Sequence, residues 1–303
     1  MLRVRRILAP NPGVFTLEGT NTWVVGASPS VVIDPGPADA EHLDDVLREA
    51  GGAGSVGAVV VTHDHEDHAE GALAFADAAR ATLFGVRAAG ADPLHDRQRF
   101  AIGAGGASGP VDAGAVLIAV ATPGHSADHV VFHEPDARAL FTGDAVLGRG
   151  TSFIDPPDGD LVHYLRSLER MAELAPRTIY PGHGPVVLDA AAKLQEYVEH
   201  RAERERQILE ELTGGALSIA DLVARIYAEH PVEVRPLAAR SVTAHLRKLD
   251  AEGRVDKRGR GDEQRWSAVE ARSCARCGRP VKGRGRYCGP CSLALLQDTA
   301  ADG

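Results

Sequence analysis

The sequence predicts a layered α/β protein that ends in a small helical domain and a cysteine-bearing tail. Three observations carry that prediction. Short apolar strands alternate with amphipathic helices over the first two thirds of the chain, which implies helices packed on sheets. Histidines and aspartates recur just after those strands, in turns containing Gly or Pro, so a common sheet edge can gather residues distant in sequence. Beyond Asp189 the pattern changes to three helices and a hairpin, and all four cysteines follow within the last 30 residues.

Taken in order, residues 20–25 (Thr-Asn-Thr-Trp-Val-Val) and 30–33 (Ser-Val-Val-Ile) read as strands joined by the turn residues 26–29. Asp34-Pro35-Gly36-Pro37 ends the second strand. A helix follows, with Leu43, Val46, Leu47 and Ala50 on one face and Gly51-Gly52 as its stop. Residues 58–62 form a short buried-type strand that delivers Thr-His-Asp-His-Glu-Asp-His at 62–68, and a helix is expected over 70–79. Strands at 116–121 and 130–133 flank Thr-Pro-Gly-His-Ser, a strand at 139–142 ends in Gly143-Asp144, and a helix covers 159–174. A strand at 178–180 then runs into Pro-Gly-His-Gly. A long helix from Asp189 to about Leu212, a helix capped by Ser218, a helix over 237–251 and a hairpin around Arg258-Gly-Arg-Gly261 follow the order of a winged helix.

The chain has 303 residues, more than one compact core usually holds, so two or three domains are expected. The boundaries fall near 1–200, 201–270 and 271–303. Apolar residues make up 44%, enough for a sizeable core, and with only 5% aromatics that core must rest on aliphatic packing. No apolar run is long enough to span a membrane. The basic N-terminus runs soon into Pro-Asn-Pro-Gly rather than a long apolar segment, so no signal peptide is read and a cytoplasmic location is expected. The net charge of −9 hides an asymmetry. From Arg235 to Cys291 there are 15 Lys and Arg against 6 Asp and Glu; before Arg235 there are 18 against 34. The basic third is either a solvated surface or a polyanion contact.

His63, His65 and His68 lie within six residues, with Asp67 between the last two. On an extended turn the first two imidazoles can point at one metal, while Asp67 and His68 serve a second. Four independent surface residues would not cluster so densely. Zinc favours imidazole nitrogen and carboxylate oxygen, and a catalytic site keeps a position open. Two metals need further ligands, and His125, Asp144 and His183 each follow a strand and a glycine, which permits close backbone approach. Any one of these alone would read as an ordinary structural residue.

The segment His63-x-His65-x-Asp67-His68, followed by Gly-His125, Gly-Asp144 and Gly-His183, resembles the signature of the metallo-β-lactamase superfamily over about residues 10–200. That resemblance implies an αββα sandwich. It also implies two catalytic zinc ions, one on His63, His65 and His125, the other on Asp67, His68 and His183, with Asp144 as the bridge. A metal-bridging hydroxide would then attack a carbonyl or phosphorus centre, with Asp67 orienting it. Secreted β-lactamases of the superfamily usually carry Cys where this chain has Asp144, so antibiotic hydrolysis is not expected. The segments Asn11-Pro-Gly-Val-Phe-Thr-Leu-Glu-Gly-Thr-Asn-Thr22, Gly124-His-Ser-Ala-Asp-His129 and Thr142-Gly-Asp-Ala-Val-Leu-Gly-Arg-Gly-Thr151 are similar to the branch containing the mitochondrial β-lactamase-like endoribonuclease. That branch carries a C-terminal winged-helix-like domain, and its relatives include thioesterases that release polyketides from carrier proteins.

Among the remaining histidines, His129 is a candidate catalytic residue, either orienting a ligand or contacting substrate. His133, His163, His200 and His245 read as structural or exposed. Asn21 and Thr22 either face the site or are ordinary strand residues. Cys274-x-x-Cys277 and Cys288-x-x-Cys291 have the spacing of a small knuckle holding one structural zinc, with two disulfides as the alternative. Arg240, Arg247 and Lys248 are spaced to share a helix face, and Lys257, Arg258, Arg260, Arg284 and Arg286 add charge that could meet phosphates.

Three functions remain open at this level: an endonuclease on single-stranded RNA held through the basic third, a hydrolase of small esters or carrier-bound thioesters, and a DNA-binding regulator whose hydrolase domain senses a ligand. The sequence does not speak to oligomeric state.

Overall fold

The computed structural model describes residues 2–103 and 115–269, with the backbone of 272–273 and 280–281. The chain divides into two compact units, Met1–Glu199 and His200–Gly303.

In the first unit β1 (Val4–Leu8), β2 (Asn21–Val25), β3 (Ser30–Ile33), β4 (Val56–Val60), β5 (Leu83–Gly85) and β6 (Asp92–Pro93) form a six-stranded sheet in that spatial order. Pairing is antiparallel from β1 to β3 and parallel from β3 to β6. A second sheet holds β7 (Arg99–Ile102), β8 (Ala115–Ala121), β9 (Val130–Glu134), β10 (Ala139–Gly143) and β11 (Thr178–Pro181), also in chain order. Only its β10–β11 pair is parallel.

Successive side chains of a strand face opposite ways. Val31 and Ile33 therefore join Val25, Ala58 and Val60 in a core shared with Leu117, Ala119, Phe132 and Phe141 of the second sheet. Val32 faces the other way, with Val24 and Val59, against Val46 and Ala50 of α1 (Ala40–Ala50). A short α2 (Glu66–Ala69) precedes α3 (Ala72–Ala79), whose Phe75, Ala76 and Ala79 complete that second cluster. Both faces of β3 and β4 are thus buried, which explains their unbroken Val and Ile runs. On the second sheet, α4 (Leu161–Glu173) is tied to the strand ends: Tyr164 Oη donates to Ala145 O at 2.6 Å and Ser167 Oγ to Pro123 O at 2.8 Å.

The helix expected over 70–79 starts only at Ala72, and a separate turn of helix precedes it. Gly71 N donates to Gly36 O at 2.9 Å, and a Cβ on Gly71 would fall 2.7 Å from Pro37 O, so the chain breaks there and α2 becomes a separate turn. The edge strands β1, β6 and β7, and β5 beside β6, have short or mixed patterns that the sequence reading did not resolve.

In the second unit α5 (Ala190–Thr213), which begins in the first, is followed by α6 (Ile219–Ile226), α7 (Arg235–Ala251), β12 (Val255–Arg258) and β13 (Arg265–Ala268). Ser218 and Asp221 form a reciprocal capping box on α6. Ile208, Leu212, Leu222, Val242, Leu246, Leu249, Val255 and Trp266 share one core. The basic helix face expected at Arg240, Arg247 and Lys248 is not free as a whole: Lys248 pairs with Glu205 and Glu252. On the hairpin, Lys257 pairs with Asp250 at 2.9 Å. Cys274, Cys277, Cys288 and Cys291, with Arg284 and Arg286, lie outside the described residues.

Candidate metal centre

The loops after β4, β8, β10 and β11 converge. The β4 loop carries His63 and His65, and α2 presents Asp67 and His68 from its single turn. The loop after β8 brings His125, that after β10 Asp144, and that after β11 His183. Two groups result, His63, His65, His125 and Asp144 in one and Asp67, His68 and His183 in the other, with the ligand atoms of each within 4.8 Å of one another. Asp144 lies between them. Its Oδ1 is 3.2 Å from His183 Nε2 and 3.4 Å from His68 Nε2, and its Oδ2 is 3.7 Å from His125 Nε2.

The hydrogen-bond partners of the rings fit a donor set for cations. Thr62 Oγ1 donates to Asp34 Oδ2 at 2.8 Å, so it accepts from His63 Nδ1 at 3.0 Å. His68 Nδ1 donates to Asp34 Oδ2 at 2.9 Å and His125 Nδ1 to Phe153 O at 2.8 Å. Those outward nitrogens each hold a proton, so the inward Nε2 atoms are the ones that would donate a lone pair to a metal, His68 after giving up its second proton. The inward nitrogens crowd together, with His63 Nε2 2.9 Å and His125 Nε2 3.3 Å from His65 Nδ1. Oδ1 of Asp144 is buried yet accepts no well-angled hydrogen bond. Convergent imidazole lone pairs around an unsatisfied carboxylate oxygen fit divalent metal ions.

Burial pushes His63, His125 and His129 towards the neutral ring, with nearby histidines adding to the effect. Burial acts the same way on His68 and His183, but the carboxylates overcome it: Asp67, Asp144 and Asp34 raise His68 well above the usual range, and Asp144 and Asp67 lift His183 to about 9. Burial opposes ionisation of Asp67, yet His68 and His183 bring its carboxyl down to about 2. The ionised carboxylates gathered here are of the sign that metal ions would neutralise.

Of the two roles open to His129, the geometry is that of orienting a ligand. Its ring is buried, Nδ1 faces Thr122 Oγ1 at 3.1 Å, and Nε2 accepts from the backbone N of Asp144 at 3.2 Å. Asn21 clamps the turn that carries His183: its Nδ2 donates to Pro181 O and Gly184 O at 3.0 and 2.9 Å. Thr22 supports Asp34 by donating to its carbonyl at 2.7 Å. The sequence reading missed Asp34 itself, having taken Asp-Pro-Gly-Pro only as the end of a strand; an acid directly after a Val-Val-Ile run was the available signal. It also missed Asp128, which accepts from Asp64 N at 3.0 Å and steadies the histidine loop.

Glycines before the ligands are sterically required. At Gly124, with φ of +144°, a Cβ would lie 2.3 Å from Tyr164 Cα. At Gly182 it would lie 2.8 Å from both Asp144 Oδ1 and His68 Cε1.

The metallo-beta-lactamase superfamily profile matches residues 15–183, and that of the beta-lactamase associated winged helix domain matches 218–266. The chain belongs to the metallo-β-lactamase superfamily and is a hydrolase of that fold with a C-terminal winged helix. Within the superfamily it is 35% identical to the beta-lactamase-like protein 2 homolog of Drosophila melanogaster, over 86% of this chain and 92% of that one. It is 32% identical to the atrochrysone carboxyl ACP thioesterase of Passalora fulva, over 88% and 81% of the two chains. In fold it matches a beta-lactamase domain protein from Burkholderia ambifaria, with a TM-score of 0.73, 21% identity, and 88% of this chain and 91% of that chain covered.

Proposed function

We propose that the protein is a dinuclear zinc hydrolase that cleaves thioesters, or related esters, of apolar acyl groups. The observation that carries the choice of substrate is the course of residues 10–19. This segment, between β1 and β2, crosses the metal centre with an exposed apolar tip. At its end Gly19 O lies 3.3 Å from His183 Nδ1 and Thr20 Oγ1 lies 3.3 Å from Asp67 Oδ2, beside one ligand group. At its tip the Phe15 ring lies 5.9 Å from that of Phe153, whose carbonyl accepts from His125 of the other group. Val14 is 81% exposed and Phe15 55% exposed. Apolar side chains held in water beside a cluster of polar groups are the mark of a binding surface. Two arginines of the loops around the centre are occupied, Arg87 with Asp158 at 2.9 Å and Arg149 with Glu18 at 2.6 Å, and so are less suited to gripping phosphates. The relative from Passalora fulva, named as a thioesterase, supports the same class.

His63, His65 and His125 would hold one zinc ion, Asp67, His68 and His183 the other, and Asp144 would bridge them. Two zinc ions there would supply Lewis-acid polarisation and acidify water near neutral pH. Asp67 turns Oδ2 towards His68 and His183, at 3.4 and 3.2 Å, and leaves Oδ1 to accept a proton from the attacking water. Asp34 and the Phe153 carbonyl keep His68 and His125 in the required tautomer, and His129 holds Asp144 from behind. Val14 and Phe15 hold the acyl group over the centre. A structural zinc on Cys274, Cys277, Cys288 and Cys291 and a cytoplasmic location belong to the same proposal.

A second reading, a single-stranded RNA endonuclease, is favoured by the basic balance from Arg235 to Cys291. Parallel turnover of acyl-coenzyme A thioesters of increasing chain length and of labelled single-stranded RNA, by zinc-loaded protein, decides between them. Thioester turnover that improves with chain length is expected; RNA cleavage with inert thioesters would install the second reading.

A further inference from the structure

We infer that Asn11 and Thr20 are positioning residues that dictate which oxygen of Asp67 meets a metal ion and which is left for the reacting water. The inference rests on Asp67, His68 and His183 being metal ligands.

Thr20 N lies 2.9 Å from one end of the Asn11 side-chain amide, and Thr20 Oγ1 lies 3.0 Å from the other. A backbone N–H can only donate, so the first atom is Oδ1. The second must then be Nδ2, which can only donate. Thr20 Oγ1 therefore accepts from Asn11, and its single proton points elsewhere. The other partner within reach is Asp67 Oδ2, at 3.3 Å. Thr20 is fully buried, so water does not compete for that proton. Thr16 Oγ1 donates to Asn11 O at 2.6 Å and steadies the residue that sets the direction.

The consequence falls on Asp67. Oδ2 is held on the side of His68 and His183, while Oδ1 carries none of these contacts. Without the hydroxyl the carboxylate could rotate and exchange its two oxygens. Ordering it beforehand lowers the cost of binding a metal and keeps the proton-accepting oxygen towards the substrate side.

Zinc titration of metal-free protein against a chromophoric chelator, together with the visible spectrum of cobalt(II)-loaded protein, tests this without substrate. Thr20→Val keeps the shape and removes the proton. It should weaken one of the two zinc ions by about tenfold or more, within the range for lost outer partners of metal ligands, and alter the cobalt spectrum. Thr20→Ser should restore both. Asn11→Asp keeps the size and the bond from Thr20 N but replaces the NH2 by an acceptor, which turns the hydroxyl away from Asp67; it should reproduce Thr20→Val. Parental zinc affinities and cobalt spectra in both Thr20→Val and Asn11→Asp would overturn the inference. So would a Thr20→Ser protein no better than Thr20→Val. An inert thioester panel with these zinc effects intact would remove the substrate reading and leave this one standing.

Discussion

One oxygen of Asp34 accepts from both His68 Nδ1 and Thr62 Oγ1, and through Thr62 it also fixes the tautomer of His63. Its other oxygen accepts from Thr62 N at 2.7 Å, so Asp34→Asn would set an NH2 against a donor whichever way the amide turns. Metal affinity should fall by about 10- to 100-fold, the usual cost of losing such a partner, as measured by zinc titration. Asp67→Asn should reduce turnover far more than it alters the melting temperature, since an amide neither binds zinc well nor accepts a proton; unchanged turnover at full zinc occupancy would remove Asp67 from both roles. In the second unit His245 is buried with no hydrogen bond on either ring nitrogen. Burial, then Arg201, Arg204, Lys248 and His200, depress it from 6.5 to about 3. The unfolded chain therefore takes up the proton first as pH falls. This contribution to stability is intact above pH 6.5 and declines below it, by at most about 1.4 kcal/mol per pH unit. Urea unfolding from pH 6.5 to about 4.5 should show this slope, and His245→Phe should flatten it.

At the scale of elements, the centre is a property of strand ends. Each loop that carries a candidate ligand leaves a strand of one of the two sheets, so the loops inherit the rigidity of the core. Gly124 shows how tight the arrangement is, because its backbone lies directly on α4. Gly124→Ala meets both the positive φ and the Tyr164 backbone, and should destabilise the first unit by about 2 kcal/mol or more in denaturant titration. The loop of residues 10–19 sits at the opposite extreme, with an exposed tip that contributes little to the core. Replacing Val14 and Phe15 together by Ser should leave stability within about 0.5 kcal/mol and raise KM for long acyl chains severalfold, with short acyl chains unaffected. An equal rise for all chain lengths would deny the loop a part in acyl recognition.

For the whole molecule, two of the three expected parts are present with separate cores, an α/β sandwich and a winged helix, while the cysteine knuckle lies outside the described residues. The seven candidate ligands were legible because each is announced locally, four by a dense His and Asp cluster after one strand and three by a strand, a glycine and a His or Asp. The sequence likewise determined the apolar strand run before the histidine cluster, the Gly51-Gly52 stop of α1 and the Ser218 cap of α6, since these depend on neighbours a few residues away. Only the tertiary structure decided what the ligands lean on. Asp34 reaches His68, Asn21 reaches the turn around His183, and the Asn11 and Thr20 pair reaches Asp67, across separations of 34, about 160 and 47 residues. The same holds for charge: Lys248 counts towards a basic third in the sequence but is bound to Glu205, 43 residues earlier. A hydrogen bond or ion pair is set by distance and angle in space, and a one-dimensional pattern records neither until the sheets have brought the strand ends together.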